Sequence, residues 1–206
     1  AIAKDAVLNF NPKIHIDSIP MADGGEGSID VFRYIDGYRY KTVRVKDPLG
    51  KNIKAEYCIQ KKTDIAMIEM AKASGLQMIP INHRNPMKTS SFGTGQLILD
   101  AINSGAEKII LFIGGSATND IGVGMLEALG FKFYNDGGEL VLGQVRNIPK
   151  IVKIESPRLI NRLQEISFVV ACDVSNKLLG PQGATYTYGK QKGANKDQVE
   201  ILESYF

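Results

Sequence analysis

Residues 108–130 read Lys108-Ile-Ile-Leu-Phe-Ile-Gly-Gly-Ser-Ala-Thr-Asn-Asp-Ile-Gly-Val-Gly-Met-Leu-Glu-Ala-Leu-Gly130. The run Lys108 to Ile113 is short and apolar, as a buried strand is, and Val123 to Leu129 is helical in pattern and ends at Gly130. Between them lies the loop Gly114 to Asp120. Strand, loop and helix in this order place the loop at the C-terminal edge of an open α/β sheet, where ligands bind. Gly114 and Gly115 bring no side chain, so backbone N–H groups can approach a ligand closely. Ser116, Thr118 and Asn119 add hydroxyl and amide donors just before a helix, a combination suited to an anion. The same residues also suit a glycine turn whose Ser, Asn or Asp only caps the helix. Asp120 has three readings: it holds Mg²⁺, orients a hydroxyl, or caps the helix.

Outward from this stretch the chain alternates helices with apolar runs. Ala1 to Phe10 reads as the second half of an amphipathic helix, and Ile14 to Ile19 alternates like a strand. Residues 39–46 and 53–60 alternate around Asp47-Pro-Leu-Gly50, a hairpin pattern. Ile65 to Ile68 predicts a buried strand, followed by Glu69 and a short helix stopped by Gly75. The helix Thr94 to Asn103 groups Leu97, Ile98, Ala101 and Ile102 on one face. Ile166 to Cys172 is a further strand running into Asp173, and Asp197 to Phe206 is helical. This order predicts an α/β fold with a largely parallel sheet. Both ends look cut within helices, which marks the chain as a piece of something longer.

Composition removes several function classes. Net charge is +3 with basic residues scattered among acids, which is no nucleic-acid footprint. No apolar run approaches the roughly 18–20 residues of a membrane span. Cys58 and Cys172 both lie in apolar, strand-like runs and read as buried free thiols of a reducing compartment. His15 and His83 have no metal-ligand spacing. GxxxxGK[ST], GxGxxG, HRD and DFG motifs are all missing, so neither a P-loop enzyme, a Rossmann dinucleotide enzyme nor a protein kinase is expected.

Other loops carry chemistry of the same kind. Asp23-Gly-Gly-Glu-Gly27 sets two acids among glycines. Glu69 follows a buried run, where an unpaired carboxylate is costly. Asp173 and Asp120 each follow a strand and are expected to be neighbours at one sheet end. Lys190 and Lys192 offer positive charge for phosphate or carboxylate, or are simply solvated.

Seven stretches together resemble the bacterial glycerate kinase family (type I). They are Pro20-Met-Ala-Asp-Gly-Gly-Glu-Gly27, Asp47-Pro-Leu-Gly50, Ile68-Glu-Met-Ala-Lys-Ala-Ser-Gly-Leu76, Thr89-Ser-Ser-Phe-Gly-Thr-Gly95, Ile113-Gly-Gly-Ser-Ala-Thr-Asn-Asp120, Ala171-Cys-Asp-Val-Ser-Asn176 and Gln191-Lys-Gly-Ala194. The chain departs from the family pattern at Ile121, Val123 and Lys190. The resemblance implies two α/β domains around a cleft. One is discontinuous with a flavodoxin-like parallel sheet and includes residues 1–62; the other is inserted and includes 63–206; both are incomplete here. It also implies transfer of a phosphoryl group from ATP, with Mg²⁺, to a hydroxyl of D-glycerate in the cytoplasm. The 2- or 3-position stays open, as does assembly into a homo-oligomer. The roles carried over are catalysis by Asp173 and Asp120, either of which would hold the metal. Binding falls to Asp23, Gly24, Gly25, Glu26, Glu69, Thr94, Gly114, Gly115, Ser116, Thr118, Asn119 and Lys192. The competing readings are a non-catalytic or truncated relative that binds a small carboxylate, and an enzyme of another class acting on sugar acids.

Overall fold

A computed structural model describes residues 2–206. The helix α1 (Ile2–Phe10) is followed by an extended segment and a 3₁₀ turn at Ile29–Tyr34. The strands β1 (Tyr38–Lys46) and β2 (Asn52–Gln60) form the expected hairpin. Its turn is closed by Asp47, whose Oδ1 accepts from Leu49 N and Lys51 N, both at 2.8 Å. Then come β3 (Ile65–Glu69), the single-turn α2 (Ala71–Ser74), α3 (Phe92–Asn103), β4 (Lys108–Phe112) and α4 (Val123–Ala128). The remainder is β5 (Lys132–Tyr134), β6 (Leu140–Val141), β7 (Lys153–Glu155), α5 (Ile160–Glu165), β8 (Ser167–Ala171), α6 (Ala184–Tyr188) and α7 (Lys196–Tyr205).

The main sheet has five strands in the order β1-β2-β3-β4-β8. The strands β3, β4 and β8 are parallel, as the alternation of helix and apolar strand predicts. The hairpin extends this sheet antiparallel, so it is mixed rather than largely parallel. The domain boundary expected at residue 62 lies within this sheet. It falls in the turn between β2 and β3, and Cys58 to Gln60 pair with Met67 to Ile65 across it. Residues 38–69 therefore form three adjacent strands of one sheet.

The helix α3 covers one face of this sheet. Leu97, Ile98, Ala101 and Ile102, the face read from the sequence, meet Val45, Ala55, Tyr57, Ile59, Ala66, Ile68 and Ile109 in one buried cluster. Tyr57 brings a hydroxyl into it and donates to Asp100 Oδ1 at 2.7 Å, which makes its burial affordable. On the other face a smaller cluster joins Ile29, Cys58 and Met67. A separate three-stranded sheet, β6-β5-β7, packs with α7 around Phe133, Val145, Ile148 and Leu202.

Two expectations fail on packing. Ile14 to Ile19 is not a strand: the segment is exposed and has no pairing partner among the described residues, so its period-two pattern finds no sheet. Cys172 is exposed, not buried, because β8 is the last strand of the sheet in this structure. Its residues Phe168, Val169 and Val170 are exposed as well. Among the described residues, no helix is long and apolar enough to cross a membrane.

Candidate active site

Parallel strands put their C-terminal ends at one sheet edge, so the segments after β3, β4 and β8 converge there. A cavity of about 640 Å³ opens at this edge. Its polar wall is made by Asp23, Gly114, Gly115, Ser116, Asp173 and Lys192. The loop 114–117 is fixed by its neighbours. Gly114 N donates to Gly24 O at 3.0 Å, Leu76 N donates to Gly115 O, and Ala117 N donates to Ser74 O, both at 2.8 Å. Among the described residues, the N–H groups of Gly115 and Ser116 have no protein acceptor. A pair of unspent amides beside a cavity is what an anion requires. They belong to the loop itself, since α4 begins only at Val123 after the left-handed Gly122. Ile121, where the chain departs from the family pattern, also has positive φ, at 43°. A β-branched residue there is strained.

Lys192 supplies the charge. Its ammonium donates to Ser116 Oγ at 3.1 Å and to the Thr118 carbonyl. Burial pushes its pKa down to about 8, and the charge of Asp120 offsets this only in part. The segment carrying it is held from below. Gly193 has φ +92°, and a Cβ there would lie 2.2 Å from Arg84 O. Arg84 in turn donates to Ile79 O at 3.2 Å and to Gln191 O at 3.3 Å. The Asn- and Pro-rich stretch near residue 84 thus serves to seat Lys192.

The carboxylates in the cavity wall are Asp23 and Asp173. Asp23 Oδ1 accepts from Gly25 N at 2.9 Å. Asp120, read from the sequence as a metal ligand, a group that orients a hydroxyl, or a helix cap, is not among the lining residues and is only 2% exposed. Its Oδ2 accepts from Ser91 N and Ser91 Oγ, both at 2.8 Å, and Oδ1 accepts from Gly122 N at 3.3 Å. Ser91 is the residue just before α3, so the carboxylate sits where unpaired helix amides and the helix dipole favour negative charge. The carboxylates that line the cavity are thus Asp23 and Asp173, and Asp120 lies buried behind its wall. We expect Asp120→Asn to cost stability, about 1–3 kcal/mol for charge-assisted bonds, read as a lower denaturant midpoint. Asp173→Asn should leave that midpoint in place and lower turnover.

Several other expected binding residues support the cavity without facing it. Glu69 is fully buried and accepts from Gly27 N at 2.9 Å and Ile29 N at 3.2 Å. Its burial raises the carboxyl pKa in spite of those bonds. Thr94 is buried, with its hydroxyl 2.8 Å from Ser74 Oγ. Asn119 Nδ2 reaches Thr185 Oγ1 at 3.3 Å and ties the loop to α6. Gly24 lies under the cavity, where a Cβ would meet Ala171 O at 3.3 Å, and Glu26 is exposed outside it. Asn176 and Tyr188, for which no role was expected, line the cavity as well. Tyr188 OH donates to Asn176 Oδ1 at 2.7 Å, which joins α6 to the segment after β8. Asn176 closes the motif Ala171 to Asn176, and Tyr188 precedes the Lys190 to Ala194 stretch that carries Lys192.

No group of three or more His, Cys, Asp or Glu side chains able to hold a metal occurs among the described residues. Two carboxylates in one cavity wall are a different arrangement, and Mg²⁺ commonly uses one or two of them with substrate oxygens.

Known proteins resemble this chain over nearly all of its length. A family model described as the glycerate kinase family matches residues 1–206. A glycerate kinase of Halalkalibacterium halodurans is 44% identical over 193 residues, which is 93% of this chain and 50% of the relative. Glycerate 2-kinase of Escherichia coli is 40% identical over 193 residues, 94% of this chain and 51% of that protein. A crystal structure from Salmonella typhimurium LT2, assigned as glycerate kinase 2, superposes with a TM-score of 0.85 at 38% identity, covering 98% of this chain and 55% of that one. The chain spans about half the length of the curated relatives it matches. On the family model and these identities, the chain belongs to the glycerate kinase family.

Proposed function

We propose that the whole protein transfers the γ-phosphoryl group of ATP to a hydroxyl of D-glycerate, and that the cavity at the ends of β3, β4 and β8 holds the transferring phosphate. The observation that carries this reading is the enclosed ammonium of Lys192 beside the free amides of Gly115 and Ser116. Phosphoryl transfer asks the protein mainly for positioning and charge neutralisation, and both are built here from rigid parts. The Lys192 ammonium donates to Ser116 Oγ and to the Thr118 carbonyl, so the charge is aimed before any ligand arrives. Asp23 and Asp173 are the residues that would hold Mg²⁺, which when bound neutralises phosphate oxygens. Whichever of the two is free of metal is placed to accept the proton of the attacking hydroxyl. The reaction lies in a cleft between this unit and a second α/β domain. An ATP-consuming enzyme with unpaired thiols at Cys58 and Cys172 belongs in a reducing compartment, which agrees with the cytoplasm.

The test is ADP release by the full-length protein with ATP and Mg²⁺, with and without D-glycerate. Glycerate-dependent release supports the reading. Glycerate binding without ATP consumption favours a non-catalytic carboxylate binder, and oxidation of glycerate by NAD favours another enzyme class.

A pH dependence follows from Lys192. Its pKa is depressed to about 8, so the free protein loses the ammonium as pH rises through that value. Because kcat/KM reports groups of the free enzyme, it should fall above pH 8. Lys192→Arg keeps its charge throughout this range and should abolish that limb, whatever its effect on the plateau.

A further inference from the structure

We propose that Glu69 is a positioning residue for this site: it latches residues 27–29 onto the end of β3 and thereby sets where Asp23 stands opposite the Gly114 loop. The inference rests on the phosphoryl-transfer reading for its kinetic consequence, but the latch itself is a matter of geometry.

Glu69 is the last residue of β3, fully buried, and both its oxygens are spent on backbone amides that do not belong to its own strand. Oε1 takes the N–H of Gly27 at 2.9 Å and Oε2 that of Ile29 at 3.2 Å. Between those two amides, Ser28 turns back and donates through Oγ to Gly25 O at 2.7 Å. Ile29 is itself fully buried, and its carbonyl accepts from Tyr40 OH at 2.6 Å. The other end of the loop is fixed by Gly114 N donating to Gly24 O. Asp23 therefore sits next to a loop pinned at two points, one on β4's exit and one on Glu69.

A carboxylate is the side chain that this arrangement needs. Two N–H donors converge on it, and it has only acceptors to offer. Glutamine of the same size would turn an NH₂ group toward one of the two amides, leaving donor against donor in a buried place. The penalty of burying the charge is the reason such a residue is not expected for packing alone.

The experiment uses the full-length protein and the variants Glu69→Gln, Glu69→Asp, Asp23→Asn and the double variant Glu69→Gln/Asp23→Asn. In Glu69→Gln, hydrogen exchange at the Gly27 and Ile29 amides should quicken by about tenfold or more, the loss expected for charge-assisted bonds. Exchange at Ile109 and Leu111 in β4 should stay within about twofold. The Mg²⁺ concentration giving half-maximal turnover should rise by about fivefold or more, while KM for D-glycerate moves little. A smaller folded fraction would lower kcat but leave that Mg²⁺ requirement unchanged. Glu69→Asp should recover part of the loss. In the double variant, Glu69→Gln should add little to Asp23→Asn, since the two act through one element. Unchanged exchange at Gly27 and Ile29, an unchanged Mg²⁺ requirement, or multiplied effects in the double variant would each overturn the latch. Wild-type protein that fails to phosphorylate D-glycerate would instead sink the functional reading, and the exchange measurement would still decide whether the latch exists.

Discussion

Lys192→Met in the full-length protein is expected to lower kcat/KM by about 10²- to 10³-fold, the usual loss when one preorganised charge is removed from a transition-state site. Lys192 is the only cationic side chain among the residues lining the cavity. Methionine keeps the length of the stem and its packing, so the fold should persist with little change in melting temperature. The ammonium is held by Ser116 and Thr118, which spend no carboxylate on it, so its charge is left for a ligand. A neighbouring surface lysine gives a useful contrast. Lys190 is exposed, and Lys190→Met should change kcat/KM by less than about twofold. Steady-state kinetics on the two variants side by side checks the assignment of the charge to one lysine.

Gly114→Ala should be nearly as damaging by a different route. A Cβ at Gly114 would lie 2.6 Å from Gly25 Cα, 2.9 Å from Gly24 O and 3.0 Å from Gly25 N. All three are backbone atoms, so no flexible side chain can swing aside. The two glycine loops must separate, and the bond from Gly114 N to Gly24 O is lost with them. Overpacking of this kind costs about 1–3 kcal/mol of stability. The larger effect is on chemistry, since a displacement of about 1 Å at a positioning group lowers rates by about 10²-fold. Denaturant melts and kcat/KM on the same preparation separate the two. Gly50 makes a control: it is left-handed, with φ 85°, but no atom lies within 4 Å of a Cβ there, so Gly50→Ala should cost stability only.

Much of this architecture was legible in the residues. The apolar runs at 65–68 and 108–113 are strands, and the α3 face of Leu97, Ile98, Ala101 and Ile102 is buried as its spacing requires. The Gly114 loop, Asp173 and Lys192 meet at one cavity although they are far apart in the chain. A loop after a strand announces its position through topology, whatever its side chains do. Direction of side chains is another matter. Asp120 and Glu69 stand beside the right loops, yet both turn inward to satisfy backbone amides, and no pattern of residue types tells a ligand-facing carboxylate from a buried latch. Thr94 is hidden for the same reason, within the α2–α3 contact. Ile14 to Ile19 shows the converse error. Alternation supplies one strand's pattern but not the neighbour that a strand needs. The sheet of β5, β6 and β7 escaped notice because strands of two or three residues are too short to show any period.

The cavity beside Gly114, Ser116 and Lys192 is expected to hold the phosphates during transfer. A crystal structure of the full-length protein with ADP and Mg²⁺ tests it most directly. Phosphate oxygens should accept from the Gly115 and Ser116 amides and from Lys192 Nζ, with Asp23 or Asp173 on the metal. Phosphates bound elsewhere, with those two amides still facing solvent and Lys192 still turned to Thr118, would contradict it.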